Sequence, residues 1–353
     1  MVSISCILPT ARSEYSLLGL PDKHIFEPTF ESLRKQIFKD FELIVCDALW
    51  PSRKGFTELD WGFPIKYVPA YPNHRYWLDR KRWGVAGMLN TALLQCEGEL
   101  VVRLDDCCEF EESYLQRFWA GYQNGVWPMA MHIRYLGGKP ARFDSEYRKN
   151  GYEMNYAIGR EKDRAETLRK LYGEEGIIRD TRYQIVKARG GYMKAPPDWF
   201  YGYASAPLEA LLKVNGYDER FDGDKSLEDA DCGSRLQMAG YGGLPVLDVN
   251  LQVIENEHGP IREDVIARNV RTMKCNYALY LFNRYWKTWK ANSDLLTRTV
   301  CEGIRKMHCP ACNNYERCKG EELGGRFWID DSLLEEFLKG QRVFDLREER
   351  LNI

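Results

Sequence analysis

The feature that most constrains this chain is an alternation of short buried-strand and amphipathic-helix patterns over its first 136 residues. Val2–Leu8 is an apolar run closed by Pro9, and it reads as a buried strand. Phe30, Leu33, Ile37 and Phe41 recur at steps of three, four and four, which places them on one helical face. Glu42–Asp47 is a second buried strand and Ile65–Ala70 a third, while Val85, Leu89, Ala92, Leu93 and Cys96 mark another helix. Glu99–Asp106 is a fourth strand, followed by a helix carrying Tyr114, Leu115, Phe118 and Tyr122. Such alternation implies an α/β fold, a mostly parallel sheet with helices on both faces. Ligands of such sheets bind at the carboxyl ends of the strands.

The rhythm then breaks. Residues 139–197 hold fourteen Lys or Arg against nine Asp or Glu, with one helical pattern over Glu161–Tyr172 closed by Gly173. This stretch reads as a charged, partly mobile insertion lying over the sheet. Trp199–Tyr203, a short helix over Leu208–Val214 and a helix from Glu228 to Ala239 return to compact structure. The expected division is one domain over residues 1–260 and a helical, basic and aromatic C-terminal extension over 261–353. With 44% apolar and 29% charged residues, the composition is that of a globular chain and not a disordered one. Fifty Lys plus Arg against fifty-two Asp plus Glu exclude a protein that is basic overall, while leaving room for a local basic face. No run approaches the ~20 consecutive apolar residues of a membrane helix. Met1–Cys6 shows no basic region leading into an apolar stretch, so no secretory leader is expected. The eleven cysteines, an odd number mostly inside strand or helix patterns, point to reduced thiols in a cytoplasmic setting.

Four acidic features carry chemistry. Leu104-Asp105-Asp106-Cys107-Cys108 closes a hydrophobic strand. Adjacent carboxylates repel there unless a divalent cation, itself neutralising a diphosphate, relieves them. In isolation the pair also reads as a solvated strand end or a helix N-cap. Glu228-Asp229-Ala230-Asp231 opens a helix about 120 residues later, where acids also complement the helix dipole. Glu257-His258-Gly259 follows the run Val246–Ile254, and a histidine there is either a ligand or a hydrogen-bonded structural group. Asp47, ending the second strand, is the fourth.

In this order the residues resemble the family 2 glycosyltransferases over Val2–Leu136 and Trp199–Pro260. The resemblance implies the Rossmann-like GT-A fold. It also implies a metal-dependent, inverting transfer of sugar from a nucleotide donor, a UDP-sugar, to a hydroxyl of a glycan, lipid headgroup or protein. Ile7–Arg12 is similar to the opening strand and loop that hold the nucleotide, which implicates Pro9, Thr10 and Arg12. Leu43–Asp47 resembles the second strand, whose terminal acid, here Asp47, binds the base. Gly84–Ala92 matches the family's glycine, small-residue and asparagine stretch and makes Asn90 a nucleotide-sugar contact. Leu89 stands where the family has arginine, which passes the phosphates to Lys81 or Arg82. By resemblance Asp105 faces the ribose and Asp106 the metal, Mn2+ or Mg2+. Cys107 replaces the third carboxylate, and a thiolate is a soft ligand poorly suited to those ions. Leu104–Glu109 is also similar to the polypeptide N-acetylgalactosaminyltransferases, which have histidine at the Cys107 place. Trp199–Tyr203 and Val214–Glu219 resemble the acceptor-side segment, with Trp199 and Gly202 in it and the 139–197 insertion nearby. Glu228–Leu236 is similar to the family's Glu-Asp-x-Asp helix, which makes Asp229 the base and Glu228 an acceptor-orienting group. His258 lies where several relatives have a third metal ligand.

Two features lie outside that resemblance. Cys301, Cys309, Cys312 and Cys318, with His308 adjacent, suit a structural Zn2+ site; ordinary thiols and an iron–sulfur cluster are the alternatives. Residues 261–320 carry twelve Lys or Arg against five Asp or Glu, interleaved with Tyr277, Tyr280, Phe282, Tyr285, Trp286 and Trp289. This stretch reads as a nucleic-acid surface, an interfacial membrane helix, or a core-packing helix with a basic outer face. It leaves open two further readings: the same transfer onto a hydroxylated nucleobase of DNA or RNA, and a non-catalytic nucleotide-sugar or glycan-binding relative.

Overall fold

A computed structural model describes residues 2–10, 24–70, 84–135, 177–180, 182–222, 227–255, 276, 279–308 and 331–351. Among these, strands β1 (Ile4–Thr10), β2 (Phe41–Asp47), β3 (Ile65–Pro69), β4 (Leu100–Arg103) and β9 (Ser205–Pro207) form one sheet in the order β3-β2-β1-β4-β9. The first four are parallel, and only the edge strand β9 runs against β4. Strand side chains alternate between faces, and β1 shows the result. Ile7 packs with Ile44, Met88 and Leu89 on one side, while Ile4, Cys6 and Leu8 join Phe30, Leu33 and Leu115 on the other. Burial on both faces explains why β1 and β2 read as unbroken apolar runs. The chain leaves β1 toward β2 and β3, then returns to place β4 on its other side, so the topological switch lies between β1 and β4.

The second sheet contains β5 (Cys108–Phe110), β6 (Trp127–Tyr135), β7 (Ile177–Arg179), β8 (Tyr192–Lys194) and β10 (Pro245–Glu255). Its centre is the parallel pair of β6 and β10. Three expectations change here. The fourth strand stops at Arg103, and Leu104–Cys107 turn out of the first sheet so that Cys108 can start β5 in the second. The helix expected to reach Phe41 is α1 (Glu27–Arg34); Ile37 is exposed, and Phe41 begins β2. Part of the expected insertion joins the sheet itself: β7 pairs with β6, and β8 with β10, while the helix Arg182–Ala188 packs on β10. The rest of the expected insertion, its helix over 161–172 included, falls outside the described residues.

Residues beyond 260 also return to the body. Leu346 enters the core cluster of α3 (Val85–Gln95), and Arg350 donates to the Leu93 carbonyl. Leu279, Leu296, Cys301 and Ile304 form a cluster with Phe221 and Ala230 of the first 260 residues. The described part of the extension is therefore packed onto the α/β body. No helix among the described residues is long and apolar enough to cross a membrane.

Candidate functional site

The switch between β1 and β4 gathers the acidic segments. Thr10, the last residue of β1, donates its hydroxyl to Asp106 Oδ2 at 2.7 Å. Asp106 is buried and Asp105 half-buried, both on the turn after β4. Cys107 completes that turn with φ +66°, in the left-handed region, and its side chain is buried in the apolar cluster of Leu104, Phe110 and Tyr114. Non-glycine residues held there cost free energy and gather at functional sites. The turn thus separates its donors by chemistry, with two carboxylates kept toward the strand ends and the thiol taken into the core. Two carboxylates are oxygen donors of the kind a hard divalent cation takes, while among the described residues no group of three metal-ligating side chains gathers.

Arg103, the last residue of β4, is the residue that sequence reasoning missed. Its Nη1 lies 3.3 Å from Asp229 Oδ2, and its Nη2 lies 3.7 Å from Glu228 Oε1. Burial opposes its charge, but Asp105, Asp229 and Glu228 together outweigh that cost and raise its pKa above the ordinary arginine value. One guanidinium therefore joins the two acidic motifs across 126 positions of sequence. Its Nε finds no hydrogen-bond partner, and neither does Nη2 of the buried Arg53. Buried polar groups are nearly always paired; each of these guanidiniums is ion-paired through its other nitrogens and leaves one buried N–H unsatisfied near the ends of β2 and β4.

Glu228 and Asp229 open helix α7 (Glu228–Leu236 in the chain order α4 Tyr114–Gln123, α5 Arg182–Ala188, α6 Leu208–Lys213), after Leu227 with φ +78°. The helix lies directly on the turn Pro197–Trp199. A Cβ on Gly233 would sit 2.2 Å from the Pro197 carbonyl oxygen, so only glycine permits that approach. The buried Arg182 holds the same turn from below. It donates to the Trp199 carbonyl at 2.8 Å, stacks 3.8 Å from the Tyr201 ring centroid, and is fixed by Asp180 at 2.6 Å. Trp199 is half-buried, and Gly202 has φ +65°. Both thus belong to a turn packed on the helix that carries Asp229. Nearby, His132 lies 3.5 Å from Asp180 and 3.9 Å from Glu255, and the Tyr203 hydroxyl donates to Glu255.

Other expected contacts are placed differently. Asp47 is fully buried and already accepts from the Leu49 N–H, the Arg53 guanidinium at 2.9 Å and the Tyr67 hydroxyl at 2.8 Å. It fixes Arg53 at the end of β2 and has no exposed oxygen surface. Asn90 does not reach the strand ends. It is fully buried, its amide donates to the Tyr217 carbonyl and to Glu219, and its oxygen accepts from the Tyr217 N–H. The helix period turns it inward, where an amide can clamp the loop after Val214. Pro9 is a half-buried member of β1. Cys301 is buried in the apolar cluster around Phe221. Arg12, Lys81, Arg82, His258, Cys309, Cys312 and Cys318 lie outside the described residues.

No family model matches the chain, and no curated protein matches it. Among solved structures it is similar to residues 1–349 of TarS from S. aureus, at 12% identity and a TM-score of 0.45, over 96% of this chain and 81% of that one. The same fragment in complex with UDP-GlcNAc matches at 13% identity and a TM-score of 0.44, over 96% and 81%. Its UDP complex gives 13% and 0.42, over 96% and 80%.

Proposed function

We propose that this chain is a glycosyltransferase that moves a sugar from a nucleotide donor, a UDP-sugar, to a hydroxyl acceptor, with inversion at the anomeric carbon. The observation that carries the reading is the Arg103 bridge. It brings Glu228 and Asp229 to the strand end that bears Asp105 and Asp106, at the switch point where open α/β sheets bind ligands. One carboxylate group serves the donor side and the other the acceptor side.

Asp229 is the general base in this reading. Its carboxylate keeps 18% of its side-chain surface exposed, enough to meet an acceptor hydroxyl and take its proton as the oxygen attacks the anomeric carbon. Glu228, more deeply set, orients the acceptor, and Trp199 with Gly202 offers the acceptor an adjoining ring and turn. Arg103 holds Glu228 and Asp229 at the strand ends, and Asp47 holds Arg53 beside them. Asp105 and Asp106 would hold Mg2+ or Mn2+, whose charge neutralises a nucleoside diphosphate when bound. The acceptor hydroxyl belongs to a glycan, a lipid headgroup, a protein or a modified nucleobase. A panel of UDP-sugars, assayed for released UDP with and without glycan and hydroxymethylated DNA acceptors, tests the reading. UDP binding by calorimetry with donor turnover that Asp229→Asn removes supports it; no UDP binding and no turnover on any donor would sink it.

A further inference from the structure

The chain between Arg284 and Ser293 carries a second set of exposed side chains. Residues 279–286 are helical, and the chain leaves the helix through Lys287, whose φ is +55°. Tyr285, Trp286 and Trp289 are 75%, 59% and 43% exposed, among the most exposed large rings of the described residues. Tyr285 and Trp286 meet edge to face at 5.4 Å. Arg284 and Lys287 alternate with these rings and are exposed, while Lys290 is neutralised by Asp345 at 2.6 Å. No acidic residue occurs between Arg284 and Ser293. The surface thus carries three exposed aromatic side chains with cations interleaved in sequence.

This row is held in place from behind. The buried Arg235 donates to the Thr288 carbonyl at 2.6 Å, and the Thr288 N–H closes onto the Asn283 carbonyl. The Ala291 N–H donates to Val214, and Asn215 donates to the Ala291 carbonyl at 2.7 Å. Arg235 is itself pinned by Asp218 at 2.8 Å and Asp231 at 2.5 Å. The exposed aromatics therefore stand on a backbone whose ordering is already complete, which favours binding. Arg235 also shares α7 with Asp229, six residues apart, or about 9 Å of helix rise.

We propose that residues 284–290 dock a nucleic-acid strand with unstacked bases, which makes the acceptor of the transferase a nucleobase hydroxyl; this rests on the glycosyltransferase reading above. Bases stack on exposed aromatic rings while phosphates meet the interleaved cations, the two contacts that define single-strand binding. The charge complementarity selects this partner. A neutral glycan would use the rings and leave the positive charges of Lys287 and of Arg284, which donates to the neutral Tyr280 hydroxyl, without a counter-charge. An interfacial membrane segment needs an apolar face of Leu, Phe and Trp, and residues 284–290 contain no aliphatic side chain.

The test uses the full chain and a fluorescein-labelled oligothymidine of about 20 nucleotides, a length that spans several single-strand site sizes. Anisotropy should report binding that weakens with salt. Trp286→Ser with Trp289→Ser should weaken it about 10- to 100-fold and remove the quenching of tryptophan fluorescence that stacked bases cause. Arg284→Gln with Lys287→Gln should reduce the salt slope by about 1.4, for two phosphates at ~0.7 each. Thermal unfolding should change little in both variants, since the altered side chains are exposed and give up only the Arg284–Tyr280 hydrogen bond and ring contacts at the surface. Three results would overturn the proposal: no oligothymidine binding, binding that the tryptophan variant leaves intact, or binding only to phosphatidylcholine–phosphatidylglycerol vesicles. A sulfated polysaccharide that binds as tightly, indifferent to the tryptophans, would reduce the surface to charge alone and also overturn it. UDP calorimetry on the same sample separates the two readings. UDP binding without oligothymidine binding removes only the docking surface; oligothymidine binding without UDP binding keeps the docking surface and removes the transferase together with its nucleobase acceptor.

Discussion

Arg103→Gln is the sharpest perturbation the site offers. Gln keeps a polar amide but is two bonds shorter, and it deletes the charge that Glu228 and Asp229 face at 3.7 and 3.3 Å. Breaking a fully buried ion pair costs ~3–5 kcal/mol, because a charge is left without compensation. Here the partners keep 8% and 18% of their side-chain surface, and neither distance is short, so the lower end applies, about 2–3 kcal/mol. A domain stable by ~5–15 kcal/mol still folds after that loss. Catalysis should suffer separately, because Asp229 loses the group that aims it. A misplacement of about 1 Å at a reacting group can cost ~100-fold, and the fall should appear in kcat with little change in UDP affinity. Arg103→Lys restores the charge but not the planar fork, and should recover part of the stability and less of the rate. Urea denaturation, calorimetry with UDP and steady-state kinetics on the active donor read the three quantities apart. Wild-type kcat in Arg103→Gln, or a loss of rate fully explained by the unfolded fraction, would refute the positioning role.

Asp229→Asn should leave UDP affinity within a few-fold of wild type and collapse turnover, since a base acts on the acceptor; lost UDP binding with retained rate would contradict its role. Asp106→Ala, like excess chelator, should abolish transfer while circular dichroism stays native, and full activity in chelator would exclude a divalent ion. His24, stacked 3.7 Å from Phe56, has its pKa lowered to about 4 by burial and then by Arg53. The unfolded chain, titrating near 6.5, takes up the proton first, so stability is highest above that pH and falls as pH drops toward 4. With partial exposure screening the site, the loss should be about 1–2 kcal/mol by denaturation at pH 7 and pH 5, and a flat profile would refute it. One Zn2+ held by Cys301, Cys309, Cys312 and Cys318 should survive dialysis and be lost in Cys312→Ser; elemental analysis near zero in the wild type would show ordinary thiols.

Much of the first sheet was legible because its strands are buried on both faces and so leave continuous apolar runs. The errors fall where that signal ends. Leu100–Arg103 runs into Leu104-Asp105-Asp106 without a proline or glycine, so nothing local marks the exit from the sheet. α1 was overextended because Ile37 and Phe41 keep the helical spacing by accident, one exposed and the other the start of β2. β7 and β8 are three residues each, too short for a period to show, and partner strands far along the chain define them. Asn90 carried a family role by position, but its amide is spent on Tyr217 and Glu219, contacts 127 and 129 residues away.

Arg103 did leave a signal: an arginine inside Leu-Val-Val-Arg-Leu is costly to bury without a carboxylate, and Glu228 and Asp229, already read as site residues, are the carboxylates it meets. The Glu-Asp-x-Asp motif can likewise be divided by helical geometry alone. At ~100° per residue, Asp231 and Arg235 share one face, and a pair at that spacing beginning with the acid is the arrangement that closes on itself. In the structure they do so, inside the protein, with Asp218, Arg220 and Asn283 completing a buried cluster. Arg220 and Arg235 hold Asp218 down at about 2 against the burial that would raise it, while burial raises Asp231 in the same cluster. Asp229, two positions before Asp231, points about 200° away and meets Arg103 instead. One helix thus carries acids of two kinds. Those facing inward are satisfied by arginines of the core and fix the helix; those at its start face the strand ends, where a single shared arginine leaves Asp229 open to a hydroxyl.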